Sequence, residues 1–191
     1  MLLVAIRRSM LDVRCSMFIF FRFSRVLGIC AMPDDTYNIL VVCTGNICRS
    51  PMAEGMLINS LPAGLAGRVA ISSAGTHALH GNQAQPHAIA VMQAIGVDIS
   101  GHRARQLSGT LVRSSDLVLA METFHLKLIK MKSLFSPARA RLLTEFSADG
   151  DRHDVPDPMG APVASYEASA AIIDSCVKGV YAYLEKIFKT R

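Results

Sequence analysis

Four consecutive apolar residues, Ile39-Leu40-Val41-Val42, run directly into Cys43-Thr44-Gly45-Asn46 and then into Ser50-Pro51-Met52-Ala53-Glu54. A run that is apolar at every position has no polar face to offer solvent, so it reads as a strand buried on both faces of a parallel sheet. Gly45 and Asn46 are loop residues that tolerate positive φ. Ser50 reads as the N-cap of a helix, with Pro51 at its first helical position. Strand, tight loop and helix start in that order favour an anion, because the first amides of a helix have no partner within it and its dipole attracts negative charge.

The rest of the chain repeats the alternation. Val69 to Ser73 is a second strand candidate, and Pro86 to Ile95 a helix with Ala88, Ile89, Met92 and Ile95 on one face and Gly96 closing it. Asp116 to Met121 reads as a third strand followed by a helix to about Lys132, and Arg141-Leu142-Leu143 as a fourth strand. Tyr166, Ala170, Ile173, Val177, Tyr181, Leu184 and Phe188 recur at three- and four-residue steps, the stripe of a long C-terminal helix docked on the sheet. The expected fold is an α/β three-layer sandwich, a four-stranded parallel sheet with helices on both faces and right-handed crossovers. Ligands in such sheets sit at the carboxyl ends of the strands, where the loop after Val42 falls.

The 191 residues, 51% of them hydrophobic, suffice for one domain with a sizeable core, which we expect over residues 36–191. Residues 1–35 read differently, as an N-terminal extension or as sequence preceding a true start at Met32 or Met10. Their apolar stretches are broken by Arg22 and Arg25, a poor match to a signal peptide. Arg7, Arg8, Arg14, Arg22 and Arg25 against Asp12 supply four of the five net positive charges. The remainder is nearly neutral and, without Trp, offers no aromatic-basic platform for nucleic acid. No apolar run reaches the roughly 18 residues of a membrane span, so no direct membrane anchor is expected. Five cysteines (Cys15, Cys30, Cys43, Cys48, Cys176), odd in number and irregular in spacing, point to a reducing, cytoplasmic setting and to no metal or other cofactor.

The spacing of Cys43 and Arg49, C-x5-R, is weak by itself; its place between strand and helix makes it specific. A cysteine facing a helix N-terminus is stabilised as the thiolate nucleophile by the dipole and the orphan amides. The loop between can curl its amides into an anion nest. Arg49 then offers a planar fork to two phosphate oxygens, and Ser50 a hydrogen bond to the thiolate.

The string Val42-Cys43-Thr44-Gly45-Asn46-Ile47-Cys48-Arg49-Ser50-Pro51, with Asp157-Pro158 far downstream, resembles the low-molecular-weight protein tyrosine phosphatase family. The likeness extends over residues 37 to 190, through Ser72-Ser73-Ala74-Gly75-Thr76 and Asp116 to Glu122. Gly101-His102-Arg103-Ala104-Arg105-Gln106-Leu107 is similar to the bacterial branch acting on tyrosine autokinases of exopolysaccharide and capsule export. The resemblance implies a metal-independent hydrolase with Cys43 as nucleophile, Arg49 as phosphate clamp and Asp157 as general acid. Thr44, Gly45, Asn46, Ile47, Cys48 and Ser50 would form the phosphate-binding loop, supported from behind by Asn46, Ser73 and His102. Asp157 must carry its proton for the first step, so activity should fall as pH rises. The implied partner is a phosphotyrosine protein, with a membrane-bound tyrosine autokinase as a candidate.

Cys48 has two readings, a redox partner of Cys43 or a buried small apolar residue. His77, His80, His87, His125 and His153 read as solvent-exposed or locally hydrogen-bonded, and Asp149, Asp151 and Asp154 as a solvated acidic loop. Pro156 and Pro158 stiffen the backbone of Asp157. Met159 departs from the family where many members carry an aromatic residue; Leu79 and His80 are candidates for the opposite wall. Arsenate reductases on this scaffold need further relay cysteines, and none lies between Arg49 and Cys176. Protein arginine phosphatases typically carry Thr where Ile47 stands, and the larger apolar side chain favours a phenyl ring. A non-catalytic phosphate-binding module is the alternative of a different class.

Overall fold

A computed structural model describes residues 36–132, 139–148, 150 and 152–190. The expectations for residues 1–35, and for Asp149 and Asp151, lie outside the described residues. Strands β1 (Tyr37–Cys43), β2 (Val69–Gly75), β3 (Leu117–Ala120) and β4 (Arg139–Leu142) form one sheet in the order β2-β1-β3-β4, every pair parallel. Between and after them run helices α1 (Arg49–Asn59), α2 (Pro86–Ala94), α3 (Gly109–Arg113), α4 (Thr123–Lys132) and α5 (Val163–Thr190). The short α3 and the 3-10 turns at Ala63–Leu65 and Leu143–Phe146 carry no periodicity long enough to read from sequence.

The apolar run of β1 is buried on both sides, as its composition requires. Ile39, Val41 and Cys43 face the larger core, built with α1, α2 and α5, while Leu40 and Val42 face a smaller one shared with Val112 of α3 and Ile129 of α4. Each large aliphatic side chain so buried contributes about 2 kcal/mol of hydrophobic stabilisation before the cost of ordering the chain. α5 lays Tyr166, Ala170, Ile173, Val177, Tyr181 and Leu184 into the larger core, with Cys176 and Val180 filling the stripe between them.

Two local readings are corrected. Ile95 is not on the buried face of α2 but at its exposed C-cap, and Val91 is buried in its place. The reason is the helix end: Gly96 takes φ 79°, Val97 N–H bonds Met92 O at 2.9 Å and Gly96 N–H bonds Gln93 O at 3.0 Å. This Schellman motif packs buried Val97 against the helix and turns Ile95 outward. The second correction concerns α1, which begins at Arg49 with Cys48 at the N-cap position and no side-chain cap. Ser50 lies inside the helix, its hydroxyl committed elsewhere.

β1 runs centrally, with β2 on one side and β3 on the other. The chain leaves β1 toward β2 and later returns to β3, so the carboxyl end of β1 is a topological switch point. Cys43 stands there, opposite Gly75 in register, with Met121-Glu122 just beyond β3.

Candidate active site

The loop from Cys43 to Ser50 is shaped around Asn46. Asn46 alone among the described non-glycine residues has positive φ, 54°; Gly45, expected to share that conformation, does not. The left-handed conformation costs about 1 kcal/mol for a residue with a Cβ, and the surroundings hold it there. Asn46 Nδ2 donates to Ser50 Oγ at 2.9 Å and Ser73 Oγ at 2.8 Å, and Oδ1 accepts from Arg105 N–H at 2.8 Å. The Asn46 carbonyl lies 2.8 Å from His102 Nε2, which donates to it. Ser73 passes its own proton to Glu54 Oε2 at 2.5 Å, and His102 Nδ1 lies 3.8 Å from that same oxygen. Every polar group of a fully buried asparagine is therefore occupied, which fixes the loop as a unit.

This network supports the thiol. Asn46 N–H points at Cys43 Sγ from 3.2 Å, and Ser50 Oγ stands 3.0 Å from the sulfur. Because the Asn46 amide occupies a lone pair of Ser50, the serine proton is free to be donated to sulfur. Gly75 makes the geometry possible: a Cβ there would lie 2.5 Å from Thr44 O and 2.8 Å from Asn46 N.

Arg49 is almost completely buried at the start of α1. One terminal nitrogen meets Glu122 Oε1 and, at 2.9 Å, the Val155 carbonyl; the other meets Asp157 Oδ2 at 2.7 Å. Nη2 also lies 3.4 Å from Thr44 Oγ1, while Nε is buried without a hydrogen-bond partner among the described residues. Two flanking carboxylates compensate the burial of the charge, and the spare N–H is a donor for an incoming anion.

Asp157 reaches the cavity because its loop is anchored on both sides. Asp154 Oδ1 accepts from Thr123 N–H at 2.7 Å and Thr123 Oγ1 at 2.9 Å, so this residue ties the loop to the start of α4 rather than serving only as solvated charge. Val155 N–H bonds Met121 O at 2.8 Å, and Ser169 Oγ donates to Pro156 O at 3.1 Å. The Asp157 side chain remains 43% exposed.

Cys43, Thr44, Gly45, Ile47, Cys48, Arg49, Asp157 and Met159 line one cavity of about 180 Å³. Asn46, Ser50, Ser73 and His102 stand behind the loop. Leu79 and His80 do not line the cavity, and Leu79 is 72% exposed. Cys48 is buried with its thiol 3.8 Å from Tyr166 OH, and burial pushes that thiol up to about 11. A larger cavity of about 480 Å³ opens among α1, α2 and α5, but its lining holds neither a cysteine nor a cationic side chain to clamp a phosphate, so the chemistry belongs to the smaller one.

Several residues at the site escaped the sequence reading. Glu122 just after β3 and Glu54 one turn after Ser50 occupy positions that sheet and helix geometry single out. His125 is fully buried, neither solvent-exposed nor bonded locally; its Nε2 lies 3.0 Å from Thr44 Oγ1, across 81 positions of sequence. It stands one helical turn after Glu122, a spacing that puts both on one face. Arg105 enters partly through its main-chain N–H, which no side-chain pattern announces.

Fold and cavity together define a phosphate-loop enzyme with a cysteine at the floor. The model of the low molecular weight phosphotyrosine protein phosphatase family matches residues 38–190, and the chain belongs to that family. It is 39% identical over 150 residues to a protein of Ralstonia nicotianae named as the probable low molecular weight protein-tyrosine-phosphatase EpsP, covering 78% of this chain and 95% of that one. Among solved structures, the tyrosine phosphatase Wzb from Escherichia coli K30, in complex with sulphate, is 32% identical with a TM-score of 0.67. That match covers 80% of this chain and 99% of Wzb. The YwlE arginine phosphatase from Geobacillus stearothermophilus is 33% identical with a TM-score of 0.70, covering 78% and 94%.

Proposed function

We propose that Cys43 is the nucleophile, Arg49 the phosphate clamp and Asp157 the general acid in the hydrolysis of phosphotyrosine on a protein. The observation that carries this reading is the convergence of all three on one small cavity, with the Cys43 sulfur facing Asn46 N–H and Ser50 Oγ. The thiolate attacks phosphorus in line; the bond to the phenolic oxygen breaks as Asp157 gives that oxygen its proton, leaving phosphocysteine. Asp157, now a carboxylate, takes a proton from water as the water oxygen attacks phosphorus. The phosphorus–sulfur bond breaks, the thiolate returns to its hydrogen bonds, and inorganic phosphate leaves. Amides of residues 44–49 and the Arg49 fork hold the equatorial oxygens in both steps.

Ile47 and Met159 give the cavity apolar walls, suited to the flat face of a phenyl ring and poorly suited to a guanidinium. Phosphotyrosine is therefore placed ahead of phosphoarginine, despite the likeness to the YwlE arginine phosphatase. The segment from Gly101 to Leu107 supports a tyrosine autokinase of exopolysaccharide export as the protein substrate, and with it action on the cytoplasmic side. Among the described residues no helix is long and apolar enough to cross a membrane.

The test is single-turnover hydrolysis of p-nitrophenyl phosphate in EDTA, with phosphotyrosine and phosphoarginine peptides alongside. Wild type should release p-nitrophenol rapidly and trap as a phosphoenzyme on acid quench, indifferent to the chelator. Cys43→Ser should lose about 10⁴-fold or more of the rate. Wild-type protein inert on aryl phosphates, or faster on phosphoarginine, would overturn the assignment.

A further inference from the structure

We propose that His125 is a positioning residue for this reaction: it holds the Thr44 hydroxyl so that the hydroxyl proton points into the cavity as a further donor to the substrate phosphoryl group. The inference rests on the phosphatase reading above and concerns two residues to which that mechanism gives no individual role.

Thr44 Oγ1 has two lone pairs and one proton to share. Arg49 Nη2, at 3.4 Å, can only donate and so takes one lone pair. His125 Nε2, at 3.0 Å, either donates to the second lone pair or accepts the threonine proton. The other ring nitrogen decides between them. His125 Nδ1 is buried and has no hydrogen-bond partner among the described residues. With the ring hydrogen on Nδ1, an N–H would be stranded in the interior; with the hydrogen on Nε2, only a lone pair is stranded, the less costly arrangement. Burial also lowers the imidazole pKa, which favours the neutral ring. His125 Nε2–H therefore donates to Thr44, both threonine lone pairs are filled, and its proton is excluded from both partners. Thr44 borders the cavity. The proton is left to an acceptor there, and the phosphoryl oxygens of a substrate held by Arg49 are such acceptors.

A purely structural histidine would be an odd choice at this point. An apolar side chain of similar size would fill the same space without leaving a ring nitrogen unsatisfied. Locally unfavourable choices of this kind belong where function uses them.

The experiment is a double-mutant cycle on kcat and KM for p-nitrophenyl phosphate, with Cys43→Ser as blank. Thr44→Val removes the hydroxyl and keeps the shape; His125→Leu removes the ring donor; His125→Gln restores an amide donor. Thr44→Val and His125→Leu should each lower kcat about tenfold. Together they should be no worse than the more damaging single change to within about twofold, since one interaction is being removed twice. His125→Gln should recover most of the loss. Losses that multiply, or a Thr44→Val enzyme at the wild-type rate, would show that His125 does not act through Thr44. If His125→Leu does not fold, the Gln variant in both Thr44 backgrounds and the ring ¹⁵N shifts of wild type decide. A hydrogen found on Nδ1 overturns the proposal. An inert wild type marks failure of the phosphatase reading instead, whereas an active wild type indifferent to Thr44→Val marks failure of this one.

Discussion

The floor of the cavity and its rim are built on opposite terms. At the floor, Asn46, Arg49 and Ser50 are polar side chains with almost no exposure, locked by hydrogen bonds reaching β2, the 102–105 loop, and the Glu122 carboxylate after β3. At the rim, Asp157 and Met159 are substantially exposed, and among the described residues the rim carboxylate bonds only Arg49 and the Met159 N–H. The floor must keep a strained loop and a buried cation in one geometry; the rim must admit a protein-bound phosphate and let the acid exchange protons with water. Changes at the rim should therefore alter turnover with little effect on stability, whereas changes at the floor should alter both.

The largest effect that separates the two regions comes from the rim acid. Asp157→Ala should slow release of a poor leaving group such as tyrosine by about 10²–10³-fold. The melting temperature should fall by a few degrees at most, because Glu122 and the Val155 carbonyl still compensate the buried Arg49 once its half-exposed partner is gone. A good leaving group needs less proton assistance, so p-nitrophenyl phosphate should suffer less than phosphotyrosine. Equal losses on both substrates would point to misplacement of Arg49 rather than loss of an acid.

Gly75→Ala is the corresponding test at the floor. Its Cβ would meet the main chain of Thr44 and Asn46 at 2.5 and 2.8 Å, and main chain cannot step aside as a flexible side chain can. We expect a loss of about 2 kcal/mol from overpacking and about 10²-fold in kcat from displacement of the loop. A variant fully active but less stable would mean that the loop tolerates the shift, and the contrast between floor and rim would fail.

How much of this was legible follows the same division. The strand from Ile39 and the Cys43–Arg49 loop were readable because each demands residue types that few other structures use: an all-apolar run, and Gly-Asn between a cysteine and a helix start. The stripe of α5 was readable because 28 residues give periodicity room to show. Ser50 reads as a cap from sequence because serine before proline carries the same signature whether its hydroxyl bonds a helix amide or a sulfur. His125 and Glu122 were missed because their partners lie far away in sequence, and only the parallel register of β1 with β3 brings them to Thr44 and Arg49. Ile95 was misplaced by a period that could not foresee where the helix stops.

A smaller effect separates floor from rim by pH. Burial holds the His125 pKa below the ordinary 6.5, opposed chiefly by Glu122, while Arg49 pushes the same way as burial and Asp157 and Asp154 oppose it less. The unfolded chain takes up a proton as pH falls through 6.5 while the folded chain does not, so stability is full above that pH and declines toward the folded-state value. Denaturant midpoints between pH 7.5 and 5.5 should fall more in wild type than in His125→Gln. Parallel curves would show that the buried imidazole is not the group responsible.

Met159 should show the smallest effect. It is 54% exposed, so truncation to alanine should change stability by no more than about 0.5 kcal/mol. Met159 lines the cavity where a substrate ring would lie, and a sulfur–aromatic contact contributes about 1 kcal/mol. Met159→Ala should therefore raise KM for an aryl phosphate about three- to fivefold with kcat unchanged, while Met159→Tyr, supplying ring contact in its place, should hold or lower KM. An alkyl phosphate has no ring to lose and should be indifferent to both changes. If the alkyl and aryl substrates shift together, Met159 acts on the loop carrying Asp157 and not on the ring. The rim would then be a support for the acid, closer in kind to the floor than its exposure suggests.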